Sequence, residues 1–363
     1  MSSTPSANVA WLESLSPWPE EFGLARMHAL LAALGHPERA FPAIHVVGTN
    51  GKGTATKRIE KLLHDEGLHV GATVSPHVRS WAERITVDGE EAELEAALGR
   101  VRAAAETARA TQFEVLIAAA LAELAAREVD VAVVEAGLGG RLDATNVLQT
   151  DVVVLTNVQL EHTRWLGPTR EEIAREKLAV VQPGARVVLG EPEWEGLARE
   201  LGGQVVHADG DQRALAEAAA SAFLGREVHL QDDVHLPGRL EWRGERELRD
   251  GAHNPAGVAR LVGLLEPGWT VVASIGADKE ADAMLADLAR VGERLVATTS
   301  SSGRALPPAQ LAALAGRYFA EVEAIDDPVA ALERARAYGG RVLVTGSLYF
   351  LGDLARAEEA ARG

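Results

Sequence analysis

The 363-residue sequence contains no cysteine, which excludes disulfide bonds, a thiolate nucleophile and zinc sites with cysteine ligands. Basic residues are also scarce, because 36 lysines and arginines stand against 53 aspartates and glutamates, a net charge of −17. Since nucleic-acid phosphates recruit lysine and arginine, this balance argues against nucleic acid as the main partner. No basic segment followed by an apolar run opens the chain, and no apolar stretch reaches membrane-spanning length. We therefore expect a soluble, cytoplasmic protein without a membrane partner.

Alternating strand-like and helix-like segments predict the fold class. Val129–Glu135 and Asp151–Thr156 are short and rich in valine, which is typical of buried parallel strands, and segments with helical spacing lie between such strands. The alternation predicts an α/β protein in which a doubly wound domain precedes a smaller Rossmann-like domain. Residues 225–249 interrupt it with scattered charges and three glycines. We therefore expect domains at 1–228 and 229–363, joined by a linker at about 225–249.

A glycine-rich segment between a predicted strand and a predicted helix indicates a phosphate-binding loop. It reads His45-Val-Val-Gly-Thr-Asn-Gly-Lys-Gly-Thr54. Such a turn presents unpaired N–H groups and the helix dipole to an anion. Lys52 adds a positive charge, Thr54 brings a hydroxyl near a bound magnesium ion, and Gly53 stands where the general pattern has serine or threonine. The first domain is thus expected to be a P-loop ATPase domain, with ATP bound by Gly48, Thr49, Asn50, Gly51, Lys52, Gly53 and Thr54.

Polar residues at other strand ends could bind a cation. Glu135 ends an apolar strand, where a carboxylate is costly to bury without a partner, so it is a candidate magnesium ligand. Ser75 is, by itself, best explained as the end of a strand before a proline, but beside a phosphate loop its oxygen could reach magnesium. His162 follows another strand, although a lone histidine is more often a surface group than a ligand.

Several other polar residues have both a structural and a functional interpretation. Arg141 and Asp143 follow a glycine cluster and favour contact with a ligand. The Arg175-Glu-Lys177 triplet lies on a predicted helix, where charged residues usually face solvent. Asp250 and His253 could form only a turn before a capped helix, since Asn-Pro commonly starts helices, or they could contact a nucleotide.

These motifs, in this order, resemble the folylpolyglutamate synthase and dihydrofolate synthase family of the Mur ligase superfamily. The resemblance runs from about Phe22 to Asp353. Its most specific motifs are GTNGKGT at 48–54, SPH at 75–77, EAGLGGRLDATN at 135–146, HTRWLG at 162–167, LPGR at 236–239, DGAHNP at 250–255 and VTGSLYFLGD at 344–353. Glycine and then threonine after the loop lysine is similar to the folate branch, whereas muramyl ligases have threonine or serine directly after it.

The resemblance implies an ATP-dependent ligase that phosphorylates a carboxylate of folate or dihydropteroate and lets the amino group of L-glutamate attack the acyl phosphate. It implies that the enzyme acts as a folylpolyglutamate synthase and also as a dihydrofolate synthase. ATP and Mg²⁺ are the implied cofactors, with a monovalent cation as a further candidate. We expect a monomer.

The resemblance also implies roles for individual residues. The implied catalytic residues are Lys52, His162, Lys177, Asp250 and His253. The implied magnesium ligands are Thr54, Ser75, Glu135, His162 and Lys177, a lysine that is carbamylated in this family. The implied substrate-binding residues are Thr111, Phe113, Arg141, Asp143 and Ala144, and Asn254 is implied to contact ATP.

Two other functions stay open at this point. One is a muramyl-type amino-acid ligase. The other is a protein that binds folate and ATP but has lost or altered its ligase activity. The short chain between His207 and Leu236 motivates the second, as does the Arg246–Arg249 segment, which is more polar than a buried strand should be.

Overall fold

The computed structural model describes residues 7–208 and 211–362. The chain divides into two compact units. Of the described residues, the first unit holds 7–76, 81–208 and 211–234, and the second unit holds 77–80 and 235–362. Each unit contains one sheet of mostly parallel strands, so the predicted α/β class is confirmed. Among the described residues, none of the helices is long and apolar enough to cross a membrane.

The first unit is built on an eight-stranded sheet. Its strands are β1 (Ala43–Val47), β2 (Val70–Thr73), β3 (Ile85–Val87), β4 (Glu90–Glu91), β5 (Val131–Glu135), β6 (Thr150–Leu155), β7 (Arg186–Leu189) and β8 (Gln204–His207). They lie in the order β4-β3-β2-β5-β1-β6-β7-β8. β3 and β4 pair antiparallel and the other six strands are parallel. The carboxyl ends of β2, β5, β1 and β6 therefore lie side by side, where open α/β sheets bind ligands.

Helices cover both faces of this sheet. They are α1 (Ala7–Ser14), α2 (Ala25–Ala33), α3 (Lys52–Asp65), α4 (Leu94–Ala108), α5 (Gln112–Ala126), α6 (Thr163–Leu166), α7 (Arg170–Leu178), α8 (Glu195–Glu200) and α9 (Gln212–Leu224). Successive residues of β1 enter different cores: Ala43 packs with α4 and α5, whereas Ile44 packs with α3 and α9. Because both faces are buried, the central strands β5 and β6 are mostly apolar rather than alternating.

The second unit repeats this design on a smaller scale. Its strands are β9 (Glu241–Arg243), β10 (Glu247–Asp250), β11 (Trp269–Ala273), β12 (Arg294–Ala297), β13 (Glu321–Ala324) and β14 (Arg341–Thr345), in the order β13-β12-β11-β14-β10-β9. Its helices are α10 (Pro255–Val262), α11 (Ala281–Leu288), α12 (Pro308–Ala315), α13 (Pro328–Ala337) and α14 (Leu348–Arg362). Only β9 pairs antiparallel within the described part of this sheet.

The later part of the expected linker is structured, because residues 241–243 form β9 and residues 247–250 form β10. Arg249 is 2% exposed, yet its guanidinium donates to Glu247 at 2.7 Å and pairs with Glu358 of α14. Arg336 of α13 holds the other oxygen of Glu247 at 2.7 Å. A strand can be buried without an apolar sequence when its charged side chains pair with one another. The polarity that set this segment apart therefore belongs to a buried strand.

Candidate functional site

The phosphate loop lies between β1 and the first turn of α3, and its glycines allow close approach of other segments. Gly48 and Gly51 have positive φ angles of 144° and 81°. A Cβ at Gly48 would overlap the Thr156 hydroxyl, and a Cβ at Gly51 would overlap the Gln212 amide. Both positions thus require glycine for backbone conformation, and Gly48 also requires it for space.

The loop that follows β6 holds the phosphate loop in place. Asn157 accepts from the Asn50 N–H at 3.0 Å and donates to the Asn50 carbonyl at 2.9 Å, and Thr156 donates to the same carbonyl at 2.8 Å. The Gln159 N–H donates to the Thr49 hydroxyl at 3.0 Å. The sequence alone does not distinguish these supporting residues. They follow a buried strand, but so do many polar residues that have no such role.

Lys52 and Glu135 come together beside this loop. The Lys52 Nζ lies 4.0 Å from Glu135 Oε1 and 3.3 Å from the Thr49 carbonyl. Glu135 is 3% exposed, and its other oxygen accepts from the Ser75 N–H at 2.8 Å. A Cβ at Gly53 would lie 3.2 Å from that same oxygen. Lys52, Gly53, Ser75 and Glu135 therefore form one cluster at the adjacent ends of β1, β2 and β5.

Lys177 is buried, so the solvent-facing interpretation of its triplet is wrong at this residue. It is 5% exposed, and its Nζ donates to the Gly48 carbonyl at 2.7 Å. Burial, aided by the positive charge of Lys52, lowers the pKa of Lys177 to about 7. Arg175 and Glu176 pair instead with Glu200 and Arg141 at the surface. Only the third residue of the triplet reaches the phosphate loop.

His162 and Thr54 are the other expected magnesium ligands. His162 precedes α6 with a φ of 53°, and its ring lies 4.0 Å from Glu161. Thr54 is half-buried in the first turn of α3. Within residues 7–208 and 211–362, no three or more histidine, aspartate or glutamate side chains form a group that could hold a metal. A cation here would depend on one buried carboxylate together with hydroxyl groups and ligand phosphates.

Two of the expected acceptor-binding residues, Phe113 and Asp143, lie close to Gly137. A Cβ at Gly137 would lie 2.5 Å from the Phe113 ring and 3.2 Å from Asp143 Oδ2. Thr111 caps α5 through a reciprocal pair of hydrogen bonds with Glu114. Ala144 is buried beside Asp143. Phe113, Asp143 and Ala144 thus line one region, while the Thr111 hydroxyl is engaged by the helix cap.

Arg141 and Asp143 have different surroundings although only one residue separates them. The Arg141 guanidinium lies at the surface and donates to Glu176 at 2.7 Å. Asp143 is buried, and burial raises the pKa of its carboxyl group against the effect of its hydrogen bonds to Thr145 and Leu138. Arg141 can meet an anionic group from solvent, whereas Asp143 organises its own loop.

The second unit contains the remaining candidates. Asp250 accepts from the Leu240 and Ala252 N–H groups at 2.9 Å each. His253 donates through Nδ1 to the Gly251 carbonyl at 2.8 Å, and Asn254 caps α10 by accepting from the Gly257 N–H at 2.8 Å. The helix-cap interpretation is therefore confirmed for Asn254.

Family models match most of the chain. The Mur ligase middle domain matches residues 46–199, and the Mur ligase glutamate ligase domain matches residues 238–348. The dihydrofolate synthase/folylpolyglutamate synthase of Mycobacterium tuberculosis is 33% identical, with 83% of this chain and 80% of the relative covered. The protein of the same name from Escherichia coli is 32% identical, with 71% and 72% covered.

Solved structures give the same result. The Escherichia coli FolC structure in complex with DHPP and ADP has a TM-score of 0.89 and 29% identity, and covers 99% of this chain and 100% of its own. The Yersinia pestis bifunctional folylpolyglutamate synthase/dihydrofolate synthase, complexed with AMPPNP and a Mn ion, has a TM-score of 0.85 and 29% identity, with 98% of each chain covered.

Proposed function

The chain belongs to the folylpolyglutamate synthase and dihydrofolate synthase family of Mur ligase proteins, and we propose that it joins L-glutamate to a folate or to dihydropteroate at the expense of ATP. The observation that carries the proposal is the Lys52, Gly53, Ser75 and Glu135 cluster beside the phosphate loop. Residues 1–228 would form the ATP-binding domain and residues 229–363 the ligase domain of a cytoplasmic monomer.

The cluster suits transfer of a phosphoryl group to a carboxylate. The loop N–H groups and Lys52 would bind the phosphates of ATP and balance the charge that develops during transfer. The acceptor carboxylate attacks the γ-phosphorus and ADP leaves, which gives an acyl phosphate. The L-glutamate amino group then attacks the acyl carbon, phosphate leaves with the C–O bonding pair, and the nitrogen loses a proton.

The residues present also fit a magnesium ion. Magnesium is commonly held by one or two carboxylates together with phosphates of the substrate, and Glu135 is a buried carboxylate at the edge of the phosphate loop. Ser75, Thr54 and His162 would complete the set around it. When bound, this ion supplies positive charge to the phosphates.

The lowered pKa of Lys177 also supports the proposal. An amine with a pKa of about 7 is largely unprotonated at slightly alkaline pH, and the neutral amine is the form that reacts with carbon dioxide to give a carbamate and a proton. We propose that this carbamate is a further magnesium ligand. In the second unit, Asp250, His253 and Asn254 would serve the nucleotide and the transferred phosphoryl group.

A coupled ADP-release assay tests the function directly. We expect ADP and phosphate to appear only when ATP, Mg²⁺, L-glutamate and either dihydropteroate or a reduced folate are all present. Lys52→Ala should abolish turnover while the protein still folds, with a lower thermal midpoint because buried Glu135 loses the positive charge beside it. Lys61→Ala, on the outer part of α3, is the matched control. Equal ATP turnover without L-glutamate would contradict the proposal.

The two alternatives give different results in the same assay. A muramyl-type ligase would turn over with a UDP-linked muramoyl acceptor and not with dihydropteroate. A binding protein without ligase activity would bind ATP and folate in calorimetry and release no ADP.

A further inference from the structure

His45 is a buried titratable residue at the centre of β1 that the proposed chemistry does not use. Its side chain is completely buried, and its Nε2 lies 2.8 Å from the Thr145 hydroxyl oxygen. Its strand neighbours Ala43 and Val47 pack into apolar cores. Packing alone would favour an apolar residue at this position, since burying a polar ring is costly.

The direction of the hydrogen bonds around His45 follows from its partners. The Thr145 hydroxyl donates to Asp143 Oδ1 at 2.5 Å. The Thr145 oxygen is then free to accept, so His45 donates through Nε2–H. His45 Nδ1 has no hydrogen-bond partner among the described residues, so a second proton there would be unsatisfied. Burial accordingly lowers the pKa of His45 to about 4, and the neutral form persists.

Asp143 in turn fixes the loop between β5 and β6 through hydrogen bonds to its backbone. Its Oδ2 accepts from the Leu138 N–H at 2.8 Å, and its Oδ1 also accepts from the Thr145 N–H at 3.0 Å. The two ends of the loop are thereby tied to one carboxylate. The Phe113 ring packs against Gly137 in the same loop. The position of the loop therefore determines the surface that the ring contacts.

We propose that His45 and Thr145 are positioning residues of the acceptor site, which hold Asp143 and the Gly137–Thr145 loop in the shape that binds the folate or dihydropteroate acceptor. This inference rests on the proposed function for the identity of the ligand. His45 binds no ligand itself and acts through the Thr145 hydroxyl. The phosphate loop follows the same strand but has separate supports in Thr156 and Asn157.

Paired variants test the relay. Thr145→Val removes the hydroxyl and keeps the shape, while Thr145→Ser keeps the hydroxyl. His45→Leu removes the donor, while His45→Gln keeps an N–H donor of similar reach. We expect the KM for dihydropteroate to rise at least tenfold in Thr145→Val and His45→Leu, with the KM for ATP within twofold of wild type. The Ser and Gln variants should recover most of the loss. Equal effects on both KM values, or no difference between Thr145→Val and Thr145→Ser, would overturn the proposal.

Amide hydrogen exchange provides a second measurement that needs no turnover. The Leu138 and Thr145 amides should exchange faster in Thr145→Val than in Thr145→Ser, while the β1 amides stay protected in both. Unchanged exchange at Leu138 and Thr145 would refute the hold on the loop. An inactive wild-type protein would refute the proposed function and leave the exchange result to decide the relay. If His45→Leu fails to fold, the comparison of Thr145→Val with Thr145→Ser still tests the proposal.

Discussion

Replacing Lys177 by methionine should stabilise the protein at neutral pH and abolish its turnover. The pKa of Lys177 is about 7 in the folded protein against 10.5 for a free lysine side chain. Between these values the unfolded chain binds more protons than the folded one, so this group makes the free energy of unfolding rise with pH. At pH 7 its cost to folding is roughly 4 kcal/mol, and at pH 9 roughly 2 kcal/mol.

Urea unfolding of wild type and Lys177→Met at pH 7, 8 and 9 measures this cost. In buffer free of carbon dioxide, the stability advantage of the variant should shrink by roughly 2 kcal/mol from pH 7 to pH 9. The lost hydrogen bond to the Gly48 carbonyl offsets part of the gain by about 1 kcal/mol at every pH. Lys61→Met controls for the loss of a lysine as such. A difference between wild type and Lys177→Met that stays constant across this range would refute the reasoning.

Three further substitutions test other parts of the structure. Gly53→Ala should leave the thermal midpoint unchanged or higher, since alanine favours a helix by about 1 kcal/mol. It should nevertheless raise the Mg²⁺ concentration needed for half-maximal turnover several-fold, because the new Cβ would lie 3.2 Å from Glu135 Oε2; an unchanged Mg²⁺ dependence would contradict this. Glu358→Leu should cost about 2 kcal/mol in urea unfolding, because buried Arg249 loses a partner, whereas Glu359→Leu on the exposed face of α14 should not. Wild type should lose roughly 3 kcal/mol more than His45→Gln between pH 6.5 and pH 4, since only the unfolded chain protonates His45 there; parallel acid unfolding curves would argue against a neutral His45.

The phosphate loop and its carboxylate were predictable because their signals are local. β1, the loop and α3 are contiguous in the chain, and a Gly-rich turn between a strand and a helix has one common use. Glu135 was predictable for a different reason, since a carboxylate that ends an apolar strand needs a partner wherever the strand lies. The structure supplies that partner in Lys52 at 4.0 Å.

The residues that escaped prediction depend on which distant segments meet. Nothing within the Arg175-Glu-Lys177 triplet distinguishes the buried lysine from its exposed neighbours; the distinction comes from the Gly48 carbonyl, 129 positions away in the chain. Strand β10 was not predicted for a similar reason, because the charge of its Arg249 is paired with Glu358, which lies on a helix more than 100 residues later in the chain. Patterns of hydrophobicity report burial only when the buried residues are apolar.

The unusual glycine at position 53 follows from the position of Glu135. One residue along an α-helix corresponds to a rotation of about 100°, so side chains at positions 53 and 54 leave the helix in different directions. A serine or threonine at 53 would place its Cβ 3.2 Å from Glu135 Oε2 and its hydroxyl beside the carboxylate. With glycine at 53, the Glu135 carboxylate keeps its Ser75 N–H and its approach to Lys52. Glycine at position 53 thus leaves room for this carboxylate that any side chain at the same position would narrow.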